Sequence, residues 1–209
     1  MKMIKETAYQ IKKSRTLINR YFKNKFGLGK SDYSEITRYS GTSFPFGKKE
    51  TIVFIEKICP DKNSKILDVG PGQGTYFKLL KEKGYKYFDA VEIYQPYIKK
   101  FELKKMYQNV FHCDIVDFKY DEHYDIIIMG DILEHLKIKR AKDVITYAKE
   151  HSDLLIAAVP YQMKQIGSQL DGSGDHRQAD LTREIFLKRY PGFKLLIDNK
   201  LLGVFYHLK

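Results

Sequence analysis

Residues 65–75 read Lys-Ile-Leu-Asp-Val-Gly-Pro-Gly-Gln-Gly-Thr. The apolar start of this segment predicts a buried β-strand, and a helix-like run over residues 76–83 follows at once. Three glycines spaced two apart, Gly70, Gly72 and Gly74, occupy the turn between them. A strand that turns sharply into a helix leaves backbone N–H groups facing outward, and residues without side chains let a ligand touch the main chain. The segment therefore predicts a nucleoside-binding turn.

A carboxylate stands at the distance from this turn that nucleotide binding requires. Glu92 follows the apolar end of a second predicted strand, 18 residues after Gly74. A carboxylate at that place can bind both ribose hydroxyls of a nucleotide-like cofactor. The spacing Gly-Pro-Gly-Gln-Gly is one residue shorter than the dinucleotide fingerprint, and no Gly-Lys-Ser/Thr follows it. Dinucleotide and P-loop sites are therefore disfavoured.

The run from Ile66 to Leu136 resembles the class I S-adenosylmethionine-dependent methyltransferases, and among them the glycan and small-molecule O-methyltransferases. Four motifs occur in the family's order: Asp68-x-Gly70-x-Gly72-x-Gly74, then Glu92, then His112-Cys113-Asp114-Ile115, then Met129-Gly130-Asp131-Ile132-Leu133-Glu134-His135-Leu136. A Rossmann-like domain that binds another nucleotide, or none, is the alternative interpretation.

The resemblance implies that S-adenosylmethionine is the cofactor. It also implies a set of cofactor-binding residues at the ends of four strands: Asp68, Gly70, Pro71, Gly72, Gly74, Glu92, Ile93, Asp114, Ile115, Met129 and Asp131. In this set the glycines shape the methionine side of the pocket. Glu92 binds ribose, Asp114 binds adenine, and Met129 and Asp131 line the opposite wall.

Three chemistry-bearing side chains follow the fourth predicted strand. Spacings of three and four place Asp131, Glu134 and His135 on one side of a helical turn, at the sheet edge where the methyl donor would lie. In one interpretation Asp131 caps a helix and Glu134 completes a capping box. In another, His135 is a general base for a substrate hydroxyl. In a third, all three bind a divalent ion.

The third interpretation needs a further ligand, and His176, on the loop after the fifth strand, is the candidate. The acid-x-x-Glu-His pattern is similar to that of two metal-using groups, the ubiquinone-pathway O-methyltransferases and the small-RNA 2′-hydroxyl methyltransferases. Asp131 stands where glutamate is more usual, and its arm is shorter. Mixed oxygen and nitrogen ligands favour Mg²⁺, Mn²⁺ or iron over a closed zinc site. The predicted metal ligands are Asp131, Glu134, His135 and His176, and the predicted catalytic residues are His135, His176 and Asp131.

The loop after the fifth strand carries a second resemblance, to bacterial and viral glycan-modifying methyltransferases. The matching positions are Val159-Pro160-Tyr161, Gln165, Asp171-Gly172, His176 and Asp180-Leu181. The resemblance implies a substrate loop and a sugar acceptor, and long loops in compact domains are often functional. The alternative is a surface loop in which Asp180 or Thr182 caps the next helix.

Alternating apolar runs and amphipathic segments predict an α/β fold with parallel strands. Strands are expected near 65–70, 87–93, 109–115, 124–130 and 153–159, and helices near 48–58, 75–83, 96–106, 132–150 and 181–190. The last two strand-like runs, 193–199 and 202–208, are too close for a crossover and should pair antiparallel. We expect a Rossmann-like three-layer sandwich with N-terminal helices and a mostly parallel seven-stranded sheet that ends in an antiparallel hairpin.

The N-terminal part differs in charge from the rest. Residues 1–30 hold nine Lys/Arg and one Glu, which is +8 of the net charge of +11, and residues 4–26 have the periodicity of an amphipathic helix. We expect a basic helix and lid-like loop over 1–50 and a methyltransferase domain over 51–209. In one interpretation the helix packs its apolar stripe on the catalytic domain and its lysines face solvent. In the other, the basic face attracts an anionic partner: a membrane surface, a phosphorylated glycan carrier or RNA.

Composition excludes several classes of protein. No apolar run approaches the roughly 18 residues that span a bilayer, and the N-terminus is too charged for a signal peptide. Two cysteines without a C-x-x-C pattern indicate free thiols in the cytoplasm. The sequence thus predicts a cytoplasmic enzyme that methylates a hydroxyl oxygen, with a sugar or glycan as acceptor. An RNA 2′-hydroxyl methyltransferase is the first alternative, disfavoured by the nearly balanced charge after residue 30. A non-catalytic cofactor-binding or scaffolding protein is the second.

Overall fold

The computed structural model describes residues 47–164 and 175–209. These residues belong to one compact unit, Phe46–Lys209. The expectations for the N-terminal amphipathic helix, the lid-like loop, Gln165, Asp171 and Gly172 lie outside the described residues. Within the described ranges, no helix has the length and apolar character needed to cross a bilayer.

Helices and strands alternate through the first two thirds of the described chain. The helices are α1 (Lys48–Ile58), α2 (Thr75–Glu82), α3 (Gln95–Lys100), α4 (Leu103–Met106), a 3-10 turn (Leu133–His135), α5 (Ile138–Glu150) and α6 (Arg183–Arg189). The strands are β1 (Lys65–Val69), β2 (Tyr87–Val91), β3 (Asn109–Phe111), β4 (Tyr124–Gly130), β5 (Ser152–Pro160), β6 (Lys194–Asp198) and β7 (Leu202–Leu208).

The strands form one sheet in the order β3-β2-β1-β4-β5-β7-β6. The first five strands pair in parallel, with Val69 of β1 opposite Met129 of β4. β7 pairs antiparallel with both β5 and β6. The predicted seven-stranded, mostly parallel sheet with a C-terminal antiparallel hairpin is confirmed. Because the chain moves outward from β1 to β3 and then returns to β4, the β1–β4 junction is the switch point at which open α/β sheets bind ligands.

The apolar runs explain why the sheet is central. Strand β4 holds four consecutive residues with no exposed surface or almost none, Ile126 to Met129, and β5 is buried from Leu154 to Pro160. Continuous apolar strands of this kind are typical of parallel sheets covered on both faces. The rigid sheet therefore presents the ends of β1, β2 and β4 as a fixed edge for a site.

Two predicted helices are interrupted, and the sequence interpretation was wrong there. The helix expected over 132–150 is a 3-10 turn, an extended Leu136 and then α5. Asp131, before this turn, has a left-handed φ of 58°, and the extended Leu136 separates the turn from α5. The helix expected over 96–106 is divided at Glu102, which has a φ of 52°.

Candidate cofactor and metal site

The glycine turn lies directly after β1, at the switch point. Gly70 has a φ of 63°, and a Cβ atom added there would lie 2.2 Å from Cδ1 of Ile132. Gly74 has a φ of 71° and is the residue before α2. Left-handed backbone and close contacts make side chains unfavourable in this turn. The backbone is therefore the surface that the turn offers to a ligand.

Glu92 faces this turn from the end of β2. Its side chain is buried, and Oε1 accepts a hydrogen bond from the backbone N–H of Tyr94 at 2.8 Å. Burial raises the pKa of the Glu92 carboxyl, and the backbone N–H groups of Tyr94 and Gly72 oppose that rise. Further along the edge, Oδ1 of Asp114 accepts from the backbone N–H of Val116 at 3.0 Å. Both predicted nucleoside-binding acids are thus held by local backbone donors.

Asp68 lies beneath the turn, at 2% exposure. The hydroxyl of Tyr107 donates a hydrogen bond of 2.7 Å to its Oδ2. Burial raises the pKa of Asp68 to about 6, although Tyr107 and the nearby Lys48 ammonium favour the charged form. Sequence reasoning missed both partners. Tyr107 and Lys48 lie outside the four motifs, and nothing in their immediate neighbours distinguishes them from ordinary helix residues.

The capping-box interpretation of Asp131 and Glu134 is wrong. The residue before the 3-10 turn is Ile132, and no side chain caps it. Helix α5 begins only at Ile138. Neither carboxylate oxygen of Glu134 has a hydrogen-bond partner within the described residues, whereas a capping box needs one of them to accept a backbone N–H. The spacing of three therefore has another cause.

Glu134 instead belongs to a cluster with two histidines. One ligand-type atom from each of Glu134, His135 and His176 lies within 4.8 Å of the others. Nε2 of His135 is 3.9 Å from Oε1 of Glu134, and the two imidazole rings are 4.7 Å apart, edge to face. Asp131, the fourth predicted ligand, is not part of this cluster, although its charge raises the pKa of Glu134.

The two imidazoles are oriented by backbone carbonyls. Nδ1 of His135 lies 3.2 Å from the carbonyl oxygen of Asp175, and Nδ1 of His176 lies 2.9 Å from that of Met163. A carbonyl only accepts hydrogen bonds, so each Nδ1 carries the proton and each Nε2 keeps its lone pair. This arrangement, in which one ring nitrogen donates to the protein and the other is a ligand, is usual for metal-binding histidines.

The charge states fit a bound cation. Burial, with a smaller contribution from His176, lowers the pKa of His135 to about 4. Burial also lowers the pKa of His176, so both rings are neutral at pH 7. Burial and the neighbouring Asp131 raise the pKa of Glu134 well above its usual range. A carboxylate at 1% exposure without a hydrogen bond is costly. A divalent ion would compensate that cost.

A buried glutamine joins the two halves of the cluster. The amide nitrogen of Gln178, at 2% exposure, donates to the carbonyl oxygens of Leu133 and Leu136, at 2.7 and 3.0 Å. The backbone N–H groups of Arg177 and Gln178 both donate to the carbonyl oxygen of Glu134. The segment that carries His176 is therefore attached to the turn that carries Glu134 and His135. Sequence reasoning missed Gln178.

The remaining predicted residues occupy the same edge or support it. Met129 and Pro71 are buried, Ile115 is buried, and Ile93 is 43% exposed. Further along the chain, Thr182 caps α6 by accepting from the N–H of Ile185. Asp180 instead pairs with the guanidinium of Arg189. The predicted helix cap is thus present, on the same segment that holds His176.

The fold is similar to that of several solved structures, two of which, among those described next, are named as methyltransferases. The N-terminal domain of EvdMO1 with S-adenosylhomocysteine bound has a TM-score of 0.59 at 12% identity, over 78% of this chain and 81% of that one. A S-adenosylmethionine-dependent methyltransferase from Clostridium acetobutylicum ATCC 824 has a TM-score of 0.58 at 14% identity, over 89% and 99%. Magnesium protoporphyrin IX methyltransferase from Synechocystis PCC 6803, with S-adenosylmethionine bound, has a TM-score of 0.54 at 14% identity, over 93% and 97%. The TM-scores show a shared fold, and at such low sequence identity the likeness extends no further than the fold.

The sequence comparison is more specific than the fold. No curated protein matches the chain significantly. The family model of the methyltransferase domain matches residues 46–160, which is more than half of the chain. The match covers the glycine turn, Glu92 and the Glu134–His135 turn. The chain belongs to this methyltransferase domain family and has the class I, S-adenosylmethionine-dependent methyltransferase fold.

Proposed function

We propose that this protein transfers the methyl group of S-adenosylmethionine to a hydroxyl oxygen, with a sugar or glycan as acceptor. The cluster of Glu134, His135 and His176 carries the proposal. Glu134 and His135 lie on the turn after β4, and the glycine turn lies after β1, the strand next to β4 in the sheet. Ile132, in the first of these turns, contacts Gly70 in the second. A hydroxyl held at the cluster would therefore be close to the methyl donor.

The cofactor half of the proposal rests on the charge at the sheet edge. Asp68, Glu92 and Glu134 are buried acids there, and the buried cation among the described residues is Lys48. A ligand that carries a sulfonium would favour the ionised forms of these acids, whose pKa values are raised by burial. Glu92 binds the ribose hydroxyls, Asp114 the adenine amino group, and the glycine turn the methionine portion.

The acceptor half rests on the two neutral imidazoles and the buried carboxylate. A divalent ion bound there would lower the pKa of the acceptor hydroxyl and orient its oxygen toward the methyl group. Two imidazoles favour Mn²⁺ over Mg²⁺, which prefers oxygen ligands. A metal-free general base is less suitable, because a histidine with a pKa of about 4 is a weak base at neutral pH.

The sugar assignment is supported by one structural neighbour and by charge. The N-terminal domain of EvdMO1 was crystallised in the presence of S-adenosylhomocysteine and D-fucose, a sugar. The charge of +8 over residues 1–30 favours an acceptor that is itself anionic or attached to an anionic carrier. That segment is also suited to peripheral contact with an anionic membrane surface.

A second candidate, transfer to an RNA 2′-hydroxyl, is favoured by a basic cleft. The cleft between α3, α4 and β3 has a volume of about 380 Å³, and Lys99, Lys104 and Lys105 line it together with Glu102, which pairs with Lys105. Binding through such lysines would weaken steeply with salt, because phosphate contacts release counterions.

The test is methyl transfer from labelled S-adenosylmethionine to sugar nucleotides, free sugars and short single-stranded RNA, with Mn²⁺ or with a chelator. We expect Mn²⁺-dependent labelling of a sugar, which Glu134→Gln removes and Glu150→Gln, on the exposed end of α5, does not. Labelling of RNA alone would select the second candidate. Tight cofactor binding without transfer to any acceptor would instead support a non-catalytic protein.

A further inference from the structure

A buried lysine lies at the switch point, outside every motif of the sequence. Lys48, the first residue of α1, is 5% exposed, whereas the next residue, Lys49, is exposed. Its ammonium lies 4.1 Å from the centroid of the Tyr76 ring, in the first turn of α2. Lysines are almost never buried to this extent unless they are paired. The position of Lys48 therefore calls for partners of opposite charge.

Two acids supply that charge, one from each strand of the switch point. Burial lowers the pKa of Lys48, and the charges of Asp131 and Asp68 oppose this effect. Asp68 is the penultimate residue of β1, and Asp131 directly follows β4. The ammonium thus lies within the field of two carboxylates that belong to adjacent strands. The three side chains come from three segments that are distant in sequence and meet at this edge.

The backbone around these groups is held in uncommon conformations. Asp131 has a left-handed φ of 58°, a conformation that costs free energy for residues other than glycine. Gly47, directly before Lys48, has a φ of 76°, and a Cβ atom there would lie 3.1 Å from Cγ2 of Val204. Gly47 adopts this conformation without cost, whereas strain of the kind seen at Asp131 persists where the surrounding structure imposes it and is frequent at ligand sites.

One cation between two anions is the complement of an α-amino acid, which carries one ammonium and one carboxylate. We propose that Lys48 binds the carboxylate of the methionine portion of S-adenosylmethionine, while Asp68 and Asp131 receive its ammonium. This inference rests on the proposed function, because it needs S-adenosylmethionine as the ligand. It adds a residue for the part of the ligand that neither Glu92 nor Asp114 reaches. In the described part of the chain, Lys48 is the buried cation at this edge.

The test compares two ligands that differ in one group. S-adenosylhomocysteine carries the carboxylate, and S-adenosyl-3-thiopropylamine keeps the amine and lacks only the carboxylate. Calorimetry should show that the protein binds the first ligand about tenfold to a hundredfold more tightly, as expected for a charge-assisted hydrogen bond. Lys48→Met should reduce this preference to within about threefold, and it should not weaken the binding of S-adenosyl-3-thiopropylamine. Lys48→Arg should keep much of the preference, and Lys49→Met should keep all of it.

A third ligand separates folding from recognition. 5′-Methylthioadenosine lacks both the carboxylate and the ammonium, so Lys48→Met should bind it as the unmodified protein does. If Lys48→Met loses all three ligands equally, or keeps the preference for the carboxylate, Lys48 is a structural residue and the inference is wrong. If the unmodified protein binds none of the three adenosine ligands, the proposed function fails together with it.

Discussion

The two sides of the sheet edge satisfy their charged groups in different ways. On the β2–β3 side, Glu92 and Asp114 accept hydrogen bonds from backbone N–H groups only two residues away. On the β4–β5 side, Glu134 has no hydrogen-bond partner among the described residues, and the histidines beside it are oriented by carbonyls 13 and 40 residues away in sequence. On the first side, local backbone groups already supply hydrogen bonds to both acids. The second side is held by long-range contacts and leaves a carboxylate for a ligand.

This difference has a functional consequence. A preformed, hydrogen-bonded site binds its ligand without further organisation, whereas a buried acid without a partner gains stability when a cation binds. We therefore expect cofactor affinity to be independent of the Glu134, His135 and His176 cluster on the β4–β5 side. Acceptor chemistry should depend on the metal and on the contacts that hold the β4–β5 side together.

The largest effect is expected from the histidines. His135→Ala and His176→Ala should each reduce methyl transfer by about 10³-fold, because either change removes a ligand of the same ion. The double variant should be little worse than either single one, since the ligands act as a unit. Activity assays with each variant test this, and cofactor affinity should stay within about twofold.

His123→Ala is the matched control, because His123 is an exposed residue whose partner is Asp153. A chelator should abolish turnover, and Mn²⁺ or Mg²⁺ should restore it. Full activity in the presence of the chelator, together with loss in His135→Ala alone, would favour the general base. Full activity of both single variants would leave the cluster without a catalytic role.

A smaller effect, on the other side of the edge, is expected from Glu92→Ala. The variant loses the carboxylate that we assign to both ribose hydroxyls, which should weaken S-adenosylhomocysteine binding by roughly 2–4 kcal/mol. Metal affinity should not change. Glu82→Ala, on the exposed face of α2, is the control. Unchanged affinity in Glu92→Ala, measured by calorimetry, would contradict the cofactor assignment on which the comparison of the two sides depends.

The part of the site that is predictable from sequence is the part with local contacts. The glycine turn and Glu92 are 18 residues apart and occupy consecutive strand ends, so their spacing alone predicts a nucleoside site. The strand order follows from similar logic. Apolar runs separated by helices must pair in parallel, and the last two runs are too close to do so.

The part that could not be predicted depends on tertiary contacts. Asp131, Glu134 and His135 have helical spacing, but Leu136 is extended and the carbonyls of Leu133 and Leu136 bind Gln178, so the helix is interrupted there. Those contacts join residues 45 and 42 positions apart. Lys48 likewise has the sequence context of a surface lysine, and only the fold shows that it is buried. Local propensity contains no signal for either residue.

Gln178 offers a sharper test of the long-range side. Gln178→Leu removes the donor to two carbonyls of the turn that carries Glu134 and His135, so the ligands should lose their alignment. We expect Mn²⁺ affinity to fall about tenfold to a hundredfold, the usual effect of a lost supporting hydrogen bond. Cofactor affinity should be unchanged. A Mn²⁺ titration followed by electron paramagnetic resonance measures the first quantity, and calorimetry the second.

Gln108→Leu, at an exposed position before β3, is the control for this change. If Gln178→Leu weakens cofactor and metal equally, the two sides are not independent and the contrast between them is wrong. If it changes neither, the other contacts of the His176 segment, including those with Glu134 and Met163, are sufficient to align the ligands.

The smallest effect is a pH dependence at the boundary between the two sides. The folded-state pKa of Asp68 is raised from 3.8 to about 6. The ligand-free protein therefore loses stability as pH rises through this range and Asp68 becomes ionised. A ligand ammonium reverses this by favouring the carboxylate, which lowers the pKa in the complex. Binding below pH 6 then releases a proton, and affinity should fall as the solution becomes more acidic. From pH 7 to pH 5 we expect S-adenosylhomocysteine binding to weaken by about tenfold.

Two comparisons isolate Asp68 in this profile. 5′-Methylthioadenosine has no ammonium, so its affinity should not follow the same titration. Asp68→Asn should bind S-adenosylhomocysteine weakly and without the step near pH 6. The same variant should gain up to about 3 kcal/mol in free energy of unfolding at pH 7, because the cost of ionising a buried acid is absent. A step of equal size in Asp68→Asn would assign the titration to another group. It would also mean that the Asp68 carboxylate does not interact with the ammonium of the methionine portion.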